Sequence, residues 1–269
     1  MDGRTTHVQV GEHRLAATVF GEGQPAVVIE PAFGGSAQSW TEIAETLAAE
    51  TTVVTYDRAP YGTSSRAHDR RTAGEIARDL HAVLDALGIA RPAVLVGHSA
   101  GGVYVRAFAG AYGDEVAGMV LVDSAHEAQA QMLRGRLPWK LALSEALTLP
   151  MLCILRRKHL NGADRRSIIR ELRASNRLTA ADQPLAPGGL GDKPLVVLTR
   201  GPGDEAPVHP SWHLWHGLHE ELARLSANRR HTVGDKPGHY IHRDDPALVL
   251  AAIRDVLSSA RTQTALAEV

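Results

Sequence analysis

The five residues Gly97-His98-Ser99-Ala100-Gly101 constrain this chain more than any other feature of it. They stand directly after the apolar run Ala93-Val94-Leu95-Val96 and directly before residues 103–111, which read as a helix. A strand that turns at once into a helix forces its central residue into strained backbone geometry, and glycines two before and two after leave room for the neighbouring backbones. Such a turn lifts the Ser99 hydroxyl above the sheet edge. The helix behind it directs its positive dipole end to the same place, which favours anionic intermediates. The rival glycine loops are absent: the chain contains neither G-x-G-x-x-G after a strand nor G-x-x-x-x-G-K-[ST].

The rest of the chain supplies a sheet around that turn. Residues 8–10 and 15–20 read as an opening hairpin, and 26–30, 52–56, 93–96, 116–122 and 195–198 are short apolar runs suited to fully buried strands. Between them lie amphipathic segments at 40–49 and at 73–87, where Ile76, Leu80, Val83, Leu84 and Leu87 recur at helical spacing. A last helix is predicted over about 246–259. The alternation implies an α/β fold with a mainly parallel sheet wrapped in helices. Residues 124–193 break the rhythm, with helical stretches, no convincing strand and a Pro/Gly-rich return. They read as a helical cap inserted after strand six, so that 1–123 and 194–269 form the core.

Composition removes several function classes. With 29 basic and 30 acidic residues and no run of like charge, nothing in the chain tracks a phosphate backbone, and nucleic acid is not an expected partner. One cysteine, Cys153, excludes an intramolecular disulfide. No apolar stretch has the length of a signal peptide or a membrane span, so the expected location is the cytoplasm, with no membrane partner.

The motifs in their order resemble the α/β-hydrolase superfamily over nearly the full length. Gly97 to Gly102 is similar to its nucleophile elbow, and Pro31-Ala32-Phe33-Gly34-Gly35-Ser36 stands where many members carry His-Gly-x. Tyr56-Asp57-Arg58-Ala59-Pro60-Tyr61-Gly62 resembles the loop after the fourth strand, and Gly238-His239 followed by Asp245-Pro246 resembles the histidine loop. The resemblance implies an eight-stranded, mainly parallel sheet, a nucleophile at Ser99 and an oxyanion hole from the backbone N–H groups of Ala100 and Phe33. It implies no cofactor.

Serine needs a neighbouring base, and histidine titrates where that task requires. Among 14 histidines, His239 stands where the resemblance puts the catalytic one. His98 is expected to pack or hydrogen-bond under the elbow, and His242 to support the loop. His209, His213, His216 and His219 do not have the spacing of a metal motif and read as an aromatic helix at the site mouth, so no metal is expected.

Two carboxylates compete as the partner of His239. Asp204 follows the seventh strand, the commoner family location. Asp123 ends the sixth strand, where a buried carboxylate is costly unless paired, and relatives that this chain resembles carry VDS-x-H there. Asp123 is preferred, with Asp204 as the alternative. Asp57 and Arg58 are expected to pin neighbouring loops.

The expected chemistry is hydrolysis of an ester, thioester or lactone of a small, fairly apolar molecule through an acyl-enzyme on Ser99. The alternatives are a ligand-sensing receptor that keeps the hydrolase fold, and an acyltransferase or cyclase in which another acceptor replaces water. The serine in the elbow separates the chain from haloalkane dehalogenases and epoxide hydrolases, which use a carboxylate nucleophile in this fold. Trp139 in the cap is a candidate for lining the substrate entrance, while Arg156-Arg157-Lys158 reads as a solvated helix face.

Overall fold

A computed structural model describes residues 3–66, 72–129, 185–202 and 210–267. Its strands are β1 (Arg4–Val10), β2 (His13–Phe20), β3 (Val27–Glu30), β4 (Val53–Tyr56), β5 (Ala93–His98), β6 (Val116–Val122), β7 (Leu195–Thr199) and β8 (Arg229–Val233). They form one eight-stranded sheet in the order β1-β2-β4-β3-β5-β6-β7-β8. β2 is antiparallel to both β1 and β4, and every other pair is parallel. The helices are α1 (Thr41–Leu47), α2 (Ala73–Ala86), α3 (Ala100–Ala111), α4 (Pro210–Ala223), α5 (Ile241–Asp244) and α6 (Pro246–Thr262).

The apolar strands are buried on both faces, so consecutive residues feed different cores. Val28, Val54, Leu95, Met119, Leu121 and Val197 pack with α2, α3 and the end of α4. Ile29, Val53, Val96, Val120, Val122 and Leu198 pack with α1, α5 and α6. Local signals agree with the tertiary layers. Thr72 and Glu75 form a reciprocal capping box at the start of α2. Pro246 occupies the first turn of α6, and the Asp245 side chain accepts from the Leu248 N–H.

Of the boundaries that differ from the sequence reading, three have a clear local cause or bear on the site. β1 begins at Arg4 rather than at residue 8, because a polar edge strand has no apolar run to announce it and is held by its ladder to β2, from Arg4 opposite Val19 onward. β5 runs on to His98, two residues past the apolar run. α3 starts at Ala100, immediately after the nucleophile candidate, rather than at residue 103. The expected cap falls mostly at 130–184, outside the described residues, together with Trp139, Cys153 and Arg156-Arg157-Lys158. Asp204 and His209 lie outside them as well. Among the described residues, no helix is long and apolar enough to cross a membrane.

Parallel strands direct their carboxyl ends to one edge of the sheet, and loops at that edge form the crevice in which this architecture places ligands. The residues following β3, β5, β6, β7 and β8 therefore converge, and they include Phe33, Ser99, Asp123, Arg200 and His239.

Candidate active site

Ser99 stands between β5 and α3 with φ 54 and ψ −121, a conformation that a side chain adopts only when its surroundings enforce it. The enforcement is visible on both sides. The Ser99 N–H donates to the Val122 carbonyl at 3.1 Å, and the Ser99 carbonyl accepts from the Ala125 N–H at 2.8 Å. The glycines of the motif are required by close approach: a Cβ on Gly97 would lie 2.6 Å from the Gly102 Cα, and one on Gly101 would lie 2.2 Å from the Glu30 carbonyl oxygen. The first turn of α3 is thereby seated against the end of β3. Phe33 follows that strand end by three residues.

A buried ionic group shapes the loop carrying Phe33. Arg58, 1% exposed, pairs through Nη1 with Glu30, which also accepts from the Tyr56 hydroxyl. The same guanidinium donates to the Pro31 carbonyl at 2.8 Å and to the Ala32 carbonyl at 2.9 Å. With those carbonyls turned toward Arg58, the peptide plane between Ala32 and Phe33 directs its N–H the other way. Among the described residues, neither the Phe33 nor the Ala100 N–H meets a protein acceptor. Asp57 accepts from the Ala37 N–H at 2.8 Å. Both residues of the Asp57-Arg58 pair thus hold loops.

His239 lies in the loop between β8 and α5. Its Nδ1 is 2.6 Å from Asp123 Oδ2, and its carbonyl accepts from His98 Nε2 at 2.9 Å. The residue before Ser99 therefore ties the histidine loop to the elbow. Asp123 is fully buried and has a positive φ of 41 at the end of β6. Burial pushes its carboxyl up, but the hydrogen bond and charge of His239, with Arg200 and His219 nearby, outweigh burial and hold it well below the ordinary carboxylate range. Of the two candidate acids, Asp123 is the one seen against His239, while Asp204 falls outside the described residues.

Comparison with known proteins gives the same architecture. Residues 25–143 match the family model described as alpha/beta hydrolase fold. The chain has the α/β-hydrolase fold. Along 267 residues it is 28% identical to the YqjL protein of Bacillus subtilis (strain 168), covering 98% of this chain and 93% of that one. The enol-lactonase from Burkholderia xenovorans LB400 superposes with a TM-score of 0.69 at 19% identity, over 94% of this chain and 100% of the other. A thermophilic esterase from Thermogutta terrifontis gives a TM-score of 0.68 at 23% identity, over 97% and 99%. At these identities the structural likeness carries the fold and no substrate.

The acid turn is held by residues that sequence reasoning missed. Trp215, on α4, donates its indole N–H to Asp123 Oδ1 at 2.8 Å, and the Arg200 backbone N–H reaches the same oxygen at 3.2 Å. The Arg200 guanidinium approaches Oδ2 at 3.5 Å while lying over the Trp215 ring. One turn on from Trp215, His219 Nε2 donates to the Ser124 carbonyl at 2.9 Å. Its Nδ1 must then accept, so the Thr199 hydroxyl donates to it at 2.5 Å, and His231 Nε2 donates to that hydroxyl at 2.6 Å. From the other side, buried Arg106 donates to Ser124 Oγ at 2.9 Å and to the Ala125 carbonyl at 3.1 Å. The available signal was the spacing of Trp215 and His219, which puts both on one face of a helix.

The remaining histidines have structural surroundings. His98 is fully buried, and His242 stacks on Trp40 with ring centroids 4.2 Å apart and planes at 7°. Burial holds His98 well below, and His242 down to about 3 from, the ordinary histidine value, so both are neutral imidazoles. Among the described residues, no group of three or more His, Cys, Asp or Glu side chains is arranged to hold a metal ion.

Proposed function

We propose that the protein is a serine hydrolase that cleaves an ester, thioester or lactone of a small, fairly apolar molecule through an acyl-enzyme on Ser99. The observation that carries this reading is the 2.6 Å contact of His239 Nδ1 with the buried Asp123 carboxylate, on a loop whose own carbonyl is held by the residue preceding Ser99. With Nδ1 engaged, Nε2 is the nitrogen left to accept the Ser99 proton. Asp123 then orients the imidazole and stabilises the imidazolium that forms.

The Ser99 oxygen attacks the substrate carbonyl carbon, and the carbonyl electron pair moves to oxygen. The N–H groups of Ala100 and Phe33 receive that charge, Ala100 with the added favour of the α3 dipole. His239 gives its proton to the leaving group as the carbon–leaving-group bond breaks. Water, deprotonated by His239, then attacks the acyl-enzyme; the acyl–oxygen bond to Ser99 breaks, the acid leaves, and His239 returns the proton to the Ser99 oxygen. Two proteins that share the fold are an enol-lactonase and an esterase, which supports acyl chemistry in this class of substrate.

A fluorophosphonate probe followed by peptide mass spectrometry tests the proposal. Labelling confined to Ser99, lost in Ser99→Ala and accompanied by turnover of p-nitrophenyl acetate, is the expected result. A folded protein that neither labels nor turns over would overturn it.

A further inference from the structure

Resting on the proposed hydrolase chemistry, we infer that Trp215 is a positioning residue: its indole N–H, from helix α4, fixes the rotation of the Asp123 carboxylate so that Oδ2 faces His239. Asp123 follows β6 with a positive φ, and its N–H donates to the Leu198 carbonyl of β7 at 2.8 Å, which fixes the backbone but leaves the rotation of the carboxylate to its side-chain partners. Its two oxygens have distinct partners. Oδ2 takes His239 at 2.6 Å with the Arg200 guanidinium at 3.5 Å, whereas Oδ1 takes Trp215 at 2.8 Å and the Arg200 backbone N–H at 3.2 Å. The indole bond is the shorter of the two on Oδ1. It also comes from a rigid ring with no charge of its own, so it sets direction while drawing less on the anion than a charged partner would.

The helix presenting that ring is locked to the same turn. His219, on the same face of α4, is fully buried and donates to the Ser124 carbonyl, one residue after the acid. The Thr199 hydroxyl and His231 continue that chain to β7 and β8. α4 is thereby pinned at Ser124 while it grips Asp123, and the Arg200 side chain covers the indole face at 5.3 Å. Helix position and carboxylate rotation are one mechanical unit. A tryptophan serving only as filling would need no N–H aimed at a buried anion.

Removing the indole N–H leaves Asp123 a better proton acceptor and free to rotate. The first effect strengthens its pairing with the imidazolium and extends the inactive protonated form to higher pH in the rate profile. The second misaligns the imidazole and lowers the rate after substrate has bound. Trp215→Phe removes the donor and keeps an aromatic ring; Trp215→His restores a donor, because imidazole Nε2 overlays indole Nε1 when the five-membered rings are superposed.

The experiment measures kcat and KM for p-nitrophenyl acetate from pH 5 to 9 in wild type and both variants, with fluorophosphonate labelling of Ser99 in parallel and circular dichroism as the fold control. Trp215→Phe is expected to lose about tenfold in kcat, the order of one hydrogen bond to a charged group, with KM little changed. The acid limb of its profile moves to higher pH, and Trp215→His recovers most of the rate above pH 8. An active wild type whose profile and kcat are matched by a folded Trp215→Phe overturns the positioning role and leaves the hydrolase reading standing. So does a loss that Trp215→His fails to restore while remaining folded. A wild type that neither labels at Ser99 nor turns over removes the hydrolase reading and this role with it.

Discussion

His239 Nδ1 and Asp123 Oδ2 lie 2.6 Å apart across 116 residues of sequence, joining the end of β6 to the loop after β8. Asparagine at 123 keeps the shape but offers an amide in place of a second acceptor, so it no longer selects the imidazole tautomer with hydrogen on Nδ1. Asp123→Asn is expected to lower kcat by about 10³- to 10⁴-fold with the circular dichroism spectrum unchanged. Asp204→Asn should stay within a few-fold of wild type. Equal and mild losses in the two variants would show that neither carboxylate orients His239.

Arg58 joins the core to the loop that carries Phe33. Replacing it strands Glu30, which is fully buried, without its cation and releases the Pro31 and Ala32 carbonyls together. Breaking a buried pair by removing one partner typically costs about 3–5 kcal/mol. Arg58→Met is therefore expected to lose stability of that order in urea unfolding. Where folded protein is recovered, fluorophosphonate labelling of Ser99 should also slow, since the Phe33 N–H is no longer aimed. Stability within about 1 kcal/mol of wild type would mean that Glu30 finds another partner or is protonated when buried.

What the sequence made legible was the part governed by local rules. The strand-to-helix turn at Ser99 was readable because its glycines, the apolar run before it and the helix after it all lie within residues 93–111, and each has its own physical signature. The alternating cores were readable because a parallel sheet buried on both faces needs continuous apolar strands. The polar edge strand β1 was read short, since its partner rather than its own pattern makes it a strand. The grip on Asp123 was not readable at all: Trp215 and His219 read as an aromatic helix at the site mouth, and only the fold shows which strand end that helix touches. The choice between Asp123 and Asp204 likewise depended on contacts across more than 100 residues of chain, with |i−j| of 116 for Asp123 and His239.

The buried histidines predict how stability changes with pH. Burial lowers His219 to about 4 and His242 to about 3, whereas in the unfolded chain both titrate near 6.5. Below that pH the unfolded state binds protons that the folded state refuses. Stability is then fully present above about pH 6.5 and falls as pH drops toward the folded values, by about 1.4 kcal/mol per unit for each such histidine. His242→Phe keeps the stack on Trp40 and removes two nitrogens that have no hydrogen-bond partner among the described residues. Thermal unfolding followed from pH 7 to 4.5 should give a shallower decline for His242→Phe than for wild type. Parallel curves would mean that His242 is protonated in the folded state over this range.

Gly101 offers a contrast with a second helical glycine, Gly217. A Cβ at 101 would stand 2.2 Å from the Glu30 carbonyl oxygen, whereas one at 217 in α4 meets nothing within 4 Å among the described residues. The Glu30 carbonyl has little freedom to retreat, because Glu30 is paired with Gly97 in the parallel ladder of β3 and β5. The start of α3 must therefore move away from β3, carrying the Ala100 N–H with it. Gly101→Ala is expected to cost about 1–3 kcal/mol, as overpacking does, and to lower kcat more than it raises KM, because an oxyanion donor works mainly in the transition state. Gly217→Ala should instead gain up to about 1 kcal/mol from helix propensity. Urea unfolding of the two variants, with kinetics on p-nitrophenyl acetate, checks both signs. A Gly101→Ala protein with wild-type stability and rate would show that the elbow and the Phe33 loop are not in the close contact from which the oxyanion hole is argued.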